Sequence, residues 1–483
     1  MTARWGKISF RELAGALNGE LVTGDSSLMP AGLSTDTRNI GPGEIFLALR
    51  GDTFDGHSFV SKAIQKGASG LIIEDEAAVP PGSGSAVIKV EDSLKALGDL
   101  AALWRSGFKG PVISITGSMG KTTTKEMVYS ILEIGASTLK NNGNFNNLIG
   151  LPLTLLRLDD SHKRIVLEMG MNRPGEIGRL TSISDPDIGL ITNVGPVHLE
   201  GVGDIKGVAK AKTEMIENIK PGSRVILFGD DNILMEEAYR FNREFLTFGL
   251  KPENDLTATE VKDLGDSGTS YILQYGNKQI PVRLHVPGFH NLINSLAAAS
   301  VAVCMEEKFE NIALGLERFR GVKGRLTPEI LPGNVILLDD TYNSNPSSLG
   351  AALDAAKSIA GKKKRIIVGL GEMLELGDET ENAHVDAGRK VADAGAFLFF
   401  TIGAHAHLML EGAIERGFPS EKAIEVYSHH DMIEKIKSVM GNGDLILLKG
   451  SRMMKLDRVA EDLREYREKE EYHAAKIQGN NGG

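Results

Sequence analysis

From Pro111 onward the chain alternates strongly apolar, β-branched runs with amphipathic stretches, a rhythm that admits few folds other than a parallel sheet covered by helices. The runs Val112 to Ile115, Arg164 to Met169, Ile188 to Val194 and Arg224 to Phe228 are the expected strands. Between Ser270 and Val286 the rhythm breaks. There Tyr271 to Tyr275, the turn pair Gly276 and Asn277, and Gln279 to Val286 predict a hairpin appended to the sheet. After Gly324 the alternation restarts, with strands expected near Val335 to Leu338, Arg365 to Val368, Phe397 to Ile402 and Asp444 to Leu448. Before about Phe108 shorter runs, clearest at Ile45 to Leu49, Gly70 to Ile73 and Ala86 to Val90, predict a small mixed α/β unit. A chain of 483 residues accommodates three domains at roughly 100 to 200 residues each, expected here at 1–108, 109–322 and 323–483, all α/β. The charge-dense stretch Glu461 to Tyr472 predicts a solvated terminal helix that frays into Gly479 to Gly483.

Composition narrows the function classes. Apolar residues make up 41% and charged residues 24%, so large cores can form. The net charge of -10 repels polyanions and argues against nucleic acid as a partner, while leaving a local anion pocket possible. A single cysteine, Cys304, supports neither an internal disulfide nor a cysteine metal cage, and a reducing compartment, the cytoplasm, is expected. Met1 to Phe10 lacks the apolar core of a secretory signal, and no apolar run approaches the roughly 18 residues of a membrane span. A monomer acting on small molecules is the expected state.

In open α/β sheets ligands bind beyond the carboxyl ends of the strands, and those ends are polar and glycine-rich here. Thr116-Gly-Ser-Met-Gly-Lys-Thr122 follows the first central strand, and Met127, Val128, Ile131 and Leu132 then recur at helical spacing. Strand, glycine loop and helix together form a phosphate cradle. Glycines let backbone N–H groups approach phosphate oxygens, the helix N-terminus adds partial positive charge, Lys121 reaches the β and γ phosphates, and Thr122 can hold Mg²⁺. Gly117 and Gly120 enclose two residues where a full phosphate loop has four. A tight glycine turn with a surface lysine is the plain structural alternative. Glu168-Met-Gly-Met-Asn172 and Asn193-Val-Gly-Pro-Val-His198 leave the next strands, so a carboxylate and an imidazole emerge beside the loop. Taken alone, His198 reads more readily as a satisfied polar residue than as a ligand, because Mg²⁺ prefers oxygen. Lys210 and Lys212 follow on an expected helix, where residues two apart do not share a face, so at most one points inward.

This constellation resembles the Mur ligase family over nearly the whole chain. The phosphate loop, Glu168-Met-Gly, the Asn193 to Glu200 segment and Gly207 to Glu214 are similar to that family's central ATPase domain. Gly143-Asn-Phe-Asn-Asn147, Ile149 to Thr154, Asp340-Thr-Tyr-Asn-Ser-Asn-Pro346 and Gly371-Glu-Met-Leu-Glu-Leu-Gly377 resemble the branch that adds a D-alanyl-D-alanine dipeptide to a UDP-N-acetylmuramoyl-tripeptide. The Asp-Asn-Pro-Arg tetrapeptide of family members that add diaminopimelate is absent. The resemblance implies a UDP-sugar-binding domain, a central P-loop ATPase domain and a C-terminal Rossmann-like domain, working in peptidoglycan precursor synthesis through an acyl phosphate.

The resemblance also implies roles. Gly117, Ser118, Met119, Gly120, Lys121, Thr122 and Thr123 would cradle the phosphates of ATP, with Asn291 and Asn294 around the adenine, Arg325 on phosphate and Asp340 on ribose. Thr122, Glu168, His198 and Lys212, the last as a CO₂-derived carbamate, would hold Mg²⁺. Ser34, Asp36, Thr37, Arg38, Asp55 and His57 would bind the uridine nucleotide. Asn144, Asn146, Asn147, Asn343 and Asn345 would contact the peptide substrates, and Lys121, Glu168, His198 and Lys212 would carry the chemistry. Met119 stands where the family commonly has Asn, which removes any side-chain contact from that position. Two other classes compete: a different amide ligase of the same superfamily, including the folylpolyglutamate type, and a P-loop kinase or regulatory NTPase. The second leaves the asparagine-rich segments 143–147 and 340–346 without a task.

Overall fold

The computed structural model describes residues 5–51, 54–197 and 199–480. Three sheets organise them. The first runs in the order Glu20–Thr23, Ala86–Lys89, Gly70–Ile73, Glu44–Leu47, Gly32–Ser34, parallel throughout except for the first strand. Gly70–Ile73 forms as expected, and its neighbours end within two residues of their apolar runs. Glu20–Thr23 and Gly32–Ser34 escaped the sequence reading because they are short edge strands with little apolar signal.

The central sheet has nine strands, in the order Lys278–Leu284, Thr269–Tyr275, Leu256–Asp263, Leu246–Gly249, Arg224–Phe228, Ile188–Ile191, Val112–Thr116, Arg164–Glu168, Thr138–Lys140. The expected hairpin is present as Thr269–Tyr275 and Lys278–Leu284, with Gly276 at φ 57 in its turn. Its first strand pairs antiparallel with Leu256–Asp263, which is itself parallel to the rest. Pro281, which cannot donate to a ladder, is tolerated because Lys278–Leu284 is an edge strand. The last sheet is ordered Thr327–Leu331, Val335–Asp340, Leu445–Lys449, Ile366–Gly371, Leu398–Ile402, Ala423–Glu425, with only Thr327–Leu331 antiparallel.

Apolar packing joins the first two sheets. One buried cluster runs from Phe10 and Leu13 through Leu97, Leu100 and Trp104 to Ile177, Met215 and Leu227, with helix Ser93–Ser106 as the shared layer. Arg105 on that helix donates to the Ser184 carbonyl at 2.8 Å and the Asp185 carbonyl at 2.6 Å, and Arg179 reaches back to Asp99 at 2.6 Å. The opposite face of the central sheet buries Met127, Val128, Ile131 and Leu132 of helix Lys121–Leu132, the four residues whose spacing predicts a helix.

The terminal helix differs from expectation. It spans Asp457–Asn480, beginning earlier and running through Gly479. Its start is also packed: Val459, Ala460 and Leu463 are buried against the last sheet, and Arg464 pairs with Asp339 at 2.7 Å and Glu329 at 2.6 Å. The dense charges hid this apolar face.

Helix Phe309–Arg318 supports the phosphate-loop helix through Gly315, whose carbonyl accepts from Ser130 Oγ at 2.7 Å. A methyl group on Gly315 would sit 2.5 Å from the Ile131 Cα. Gly315→Ala is therefore expected to destabilise the protein by about 1–3 kcal/mol through overpacking, read from the urea midpoint. An unchanged midpoint would show that the two helices separate freely.

Candidate active site at the phosphate loop

Three neighbouring strands, Val112–Thr116, Arg164–Glu168 and Ile188–Ile191, deliver their carboxyl ends to one place. The loop after the first closes on the end of the third. Ser118 N donates to the Asn193 carbonyl at 3.0 Å and Met119 N to Asn193 Oδ1 at 2.9 Å, while Thr192 Oγ1 donates to the Met119 carbonyl at 2.6 Å. Gly117 at φ 138 and Gly120 at φ 78 make this approach possible. A Cβ on Gly117 would lie 2.0 Å from Thr192 Oγ1, and one on Gly120 would lie 2.1 Å from Asn294 Oδ1. The Met119 backbone is held from both sides, so its departure from the family residue leaves the loop intact.

Gly120 caps helix Lys121–Leu132 without any side-chain cap, which leaves first-turn N–H groups for an anion. Lys121 Nζ folds back onto the Gly117 carbonyl at 2.7 Å and the Ser118 carbonyl at 3.1 Å. Burial pushes its ammonium down to about 8, Glu168 opposes that, and Arg325 adds to it.

Glu168 ends its strand 2% exposed. Asn146 Nδ2 donates to its Oε1 at 2.8 Å, whereas its buried Oε2 has no hydrogen-bond partner. Lys212, on helix Ile205–Asn218, is fully buried and its Nζ also has no partner; Lys210 is exposed. The helical argument that only one of the pair faces inward is met by Lys212. Burial drives its amine well below the ordinary lysine value, Lys121 adds to this, and Glu214 and Glu176 oppose it. Glu214 accepts from Gly175 N at 2.6 Å and Gly178 N at 3.0 Å, anchoring the helix Glu176–Ser184. His198 lies outside the described residues.

The last unit reaches in through Arg325, whose Nη2 donates to Thr122 Oγ1 at 3.2 Å and whose guanidinium stacks 3.8 Å from the Tyr342 ring centroid. Asp340 pairs with buried Lys449 at 2.5 Å, and Lys449 also donates to the Asn343 carbonyl at 2.8 Å. Asn291 and Asn294 are buried in the first turns of helix Phe289–Cys304, Asn291 donating to the Pro287 carbonyl at 2.7 Å and Asn294 abutting Thr124 and the phosphate loop.

Several expected contact residues also hydrogen-bond within the fold. Asn345 forms a capping box with Ser348 at the start of helix Pro346–Ala360. Asn147 Oδ1 accepts from Gly150 N at 2.9 Å at the start of helix Gly150–Leu155. His57 is buried with both ring nitrogens engaged, Nδ1 on Asp55 at 2.7 Å and Nε2 accepting from Glu74 N at 2.9 Å. That arrangement ties His57 to Asp55 Oδ1 and to the Glu74 backbone. Asn144 and Asn343 are exposed. Ser34, Asp36, Thr37 and Arg38 form one turn, in which Arg38 grips Asp36 through Nε at 2.9 Å and Nη2 at 2.7 Å and pulls its carboxyl down to about 2. Arg38 is itself exposed.

Two buried residues of the site were missed. Lys125 Nζ donates to the Asn141 carbonyl at 2.7 Å and lies 3.8 Å from Glu168 Oε2. Its spacing of four from Lys121 was the available signal. Asn141 has no sequence signal beyond its type. Among the described residues one further group of metal-ligating side chains, Glu372, His384 and His405, converges within 4.8 Å. His384 donates from Nδ1 to the Thr380 carbonyl at 2.6 Å and accepts at Nε2 from Met373 N at 3.1 Å. Nε2 thus holds the 371–377 loop while Nδ1 donates to the first turn of the helix that carries His384.

Comparison with known proteins places this geometry. Three family models match in succession: "Mur ligase family, catalytic domain" over residues 31–105, "Mur ligase middle domain" over 115–302, and "Mur ligase, glutamate ligase domain" over 324–452. The UDP-N-acetylmuramoyl-tripeptide–D-alanyl-D-alanine ligase of Bacillus subtilis is 35% identical over 89% of this chain and 93% of its own length. A MurF crystal structure from Acinetobacter baumannii superposes with a TM-score of 0.84 at 32% identity, covering 95% of this chain and 98% of its own. MurF ligase from Thermotoga maritima, solved in complex with ADP, gives 0.80 at 28% identity, covering 91% and 98%.

The depressed Lys121 ammonium makes a pH prediction. A lysine clamps phosphate only while protonated, and in the free protein the Lys121 ammonium is lost as pH rises through about 8. ADP affinity measured by calorimetry should therefore fall above pH 8 by up to tenfold per unit, the slope of one linked proton. A flat profile to pH 10 would remove Lys121 from the phosphate site.

Proposed function

The chain belongs to the Mur ligase family, and from that premise we propose that it joins D-alanyl-D-alanine to UDP-N-acetylmuramoyl-tripeptide in an ATP-dependent ligation of peptidoglycan precursor synthesis. The observation that carries the catalytic reading is that two buried polar atoms near the phosphate-loop lysine, Glu168 Oε2 and Lys212 Nζ, have no hydrogen-bond partner. Buried atoms left this way are costly unless something binds them.

In the first step an oxygen of the tripeptide carboxylate bonds to the γ phosphorus of ATP, the bond to the β–γ bridging oxygen breaks, and ADP leaves. In the second the dipeptide amine attacks the acyl carbon, the carbon–oxygen bond to phosphate breaks, and amide, phosphate and one proton result. Negative charge gathers as the carboxylate meets the triphosphate, so cations must offset it. Lys121 turns from the Gly117 and Ser118 carbonyls to the β and γ phosphates, where the anions favour its charged form. Loop N–H groups from Gly117 to Thr123 line the same phosphates. Arg325, already at Thr122 Oγ1, follows the γ phosphate, with Tyr342 keeping its guanidinium flat. Asn291 and Asn294 border the adenine, and Asp340, held by Lys449, meets the ribose.

Thr122, Glu168, His198 and Lys212 are the residues that would hold Mg²⁺, and the partnerless Glu168 oxygen fits that role. The bound cation would supply charge neutralisation of the phosphates and the carboxylate. An amine is a poor ligand for it. Kept neutral by burial, Lys212 is instead a nucleophile for CO₂: its nitrogen bonds to carbon, a proton leaves, and the carbamate presents oxygens. The turn Ser34, Asp36, Thr37 and Arg38 offers an exposed guanidinium to the uridine diphosphate, and exposed Asn144 and Asn343 remain available to the peptides. No helix among the described residues is long and apolar enough to cross a membrane. Charged, nucleotide-linked substrates suit an enzyme that acts as a monomer in the cytoplasm.

With ATP, Mg²⁺ and UDP-N-acetylmuramoyl-tripeptide supplied, phosphate release should depend on D-alanyl-D-alanine; release that ignores the dipeptide, or none at all, would sink the assignment. Lys212→Ala should lose at least a hundredfold in kcat and recover part of it in formate or acetate, whose oxygens replace the carbamate. Activity within threefold of the parent would return Lys212 to a structural role.

A further inference from the structure

We infer that Asn141 and Asn146 are positioning residues that clamp Glu168 in the attitude a divalent cation requires, an inference resting on the assignment of Glu168 as a metal ligand. The edge strand Thr138–Lys140 stops pairing with Arg164–Glu168 at Lys140 opposite Val166, two residues before Glu168. Beyond that point the Asn141 side chain continues the ladder. Its Oδ1 accepts from Glu168 N at 2.9 Å and its Nδ2 donates to the Glu168 carbonyl at 2.9 Å, as a strand backbone would. An amide side chain both donates and accepts in one plane. The same Nδ2 donates to the Phe145 carbonyl at 2.8 Å, and the Asn141 carbonyl accepts from fully buried Lys125 at 2.7 Å. Asn141 is therefore tied at once to the phosphate-loop helix, the 143–147 loop and the Glu168 backbone.

Asn146 fixes the carboxylate itself. Its carbonyl accepts from Gly170 N at 2.7 Å, which brings the loop over the strand end, and its Nδ2 donates to Glu168 Oε1 at 2.8 Å. A Cβ on Gly170 would lie 2.9 Å from Asn146 Oδ1 and press on the amide that reaches Glu168. One carboxylate oxygen is committed, and the other, Oε2, accepts no hydrogen bond and has the Lys125 ammonium 3.8 Å away. A ligand held this way keeps its orientation before the cation arrives, and loss of such a partner typically weakens metal binding 10- to 100-fold. Asn146 thus serves the metal rather than the peptide substrate.

The test uses the full-length enzyme and Mn²⁺ as probe, with free Mn²⁺ counted by electron paramagnetic resonance in the presence of substoichiometric ADP. Asn146→Ala should raise the Mn²⁺ dissociation constant and the Mg²⁺ requirement for turnover at least tenfold, with excess Mg²⁺ restoring kcat and the KM for the uridine substrate staying within threefold. Asn141→Ala should do the same with a lowered melting temperature; if it does not fold, Asn146→Ala alone decides. Mn²⁺ affinity within twofold of the parent in Asn146→Ala overturns the clamp, whether or not the uridine-substrate KM rises. Unchanged Mn²⁺ affinity in Glu168→Gln overturns the metal assignment and the clamp with it. Dipeptide-dependent phosphate release by the parent is separate from all of these outcomes.

Discussion

The site depends on one close approach, the docking of residues 117–120 onto the strand end at Thr192 and Asn193. Backbone meets backbone and side chain there at distances that a Cβ at Gly117 would forbid, while Gly120 lies against the Asn294 side chain. That contact orients helix Lys121–Leu132, and through it Lys121, Thr122 and Lys125 acquire their places. Everything else in the site is arranged around a helix whose N-terminus is left open to an anion.

Three buried lysines then set the electrostatics, each by a different device. Lys125 is compensated by a carbonyl and by Glu168, Lys449 by Asp340, and Lys212 by nothing. A buried ammonium without a partner is expensive, and the inexpensive escape is to give up the proton. The same burial that costs stability drives the Lys212 amine well below the ordinary lysine value. Lys121 is held between the two cases, with its ammonium lowered only to about 8.

The last unit completes the site from outside the central sheet. Arg325 bridges Thr122 and Tyr342, so the phosphate region is shared between two sheets and the geometry there follows how they sit together. Asp340 and Asn343 stand beside it at a strand end, tied by Lys449 from the neighbouring strand.

Much of this was legible in the residue order. Apolar periodicity located most of the central and terminal strands and the phosphate-loop helix, because burial on both faces writes a continuous apolar run. It failed on short edge strands such as Glu20–Thr23, Thr138–Lys140 and Ala423–Glu425, whose pairing is earned by neighbours distant in sequence. The glycine loop, Glu168 and the inward lysine were also readable, since spacing alone puts them at strand ends or on one helix face. Which polar side chain faces a ligand was not. His57, Asn147 and Asn345 look like binding residues by type and motif, yet each satisfies backbone or carboxylate groups of the fold, while Asn141 and Lys125 carry no motif and sit at the centre. Local sequence determines what a segment can become. Only tertiary packing decides which hydrogen-bonding groups remain unspent, because a donor finds its acceptor across the chain and burial sets the cost of leaving one alone.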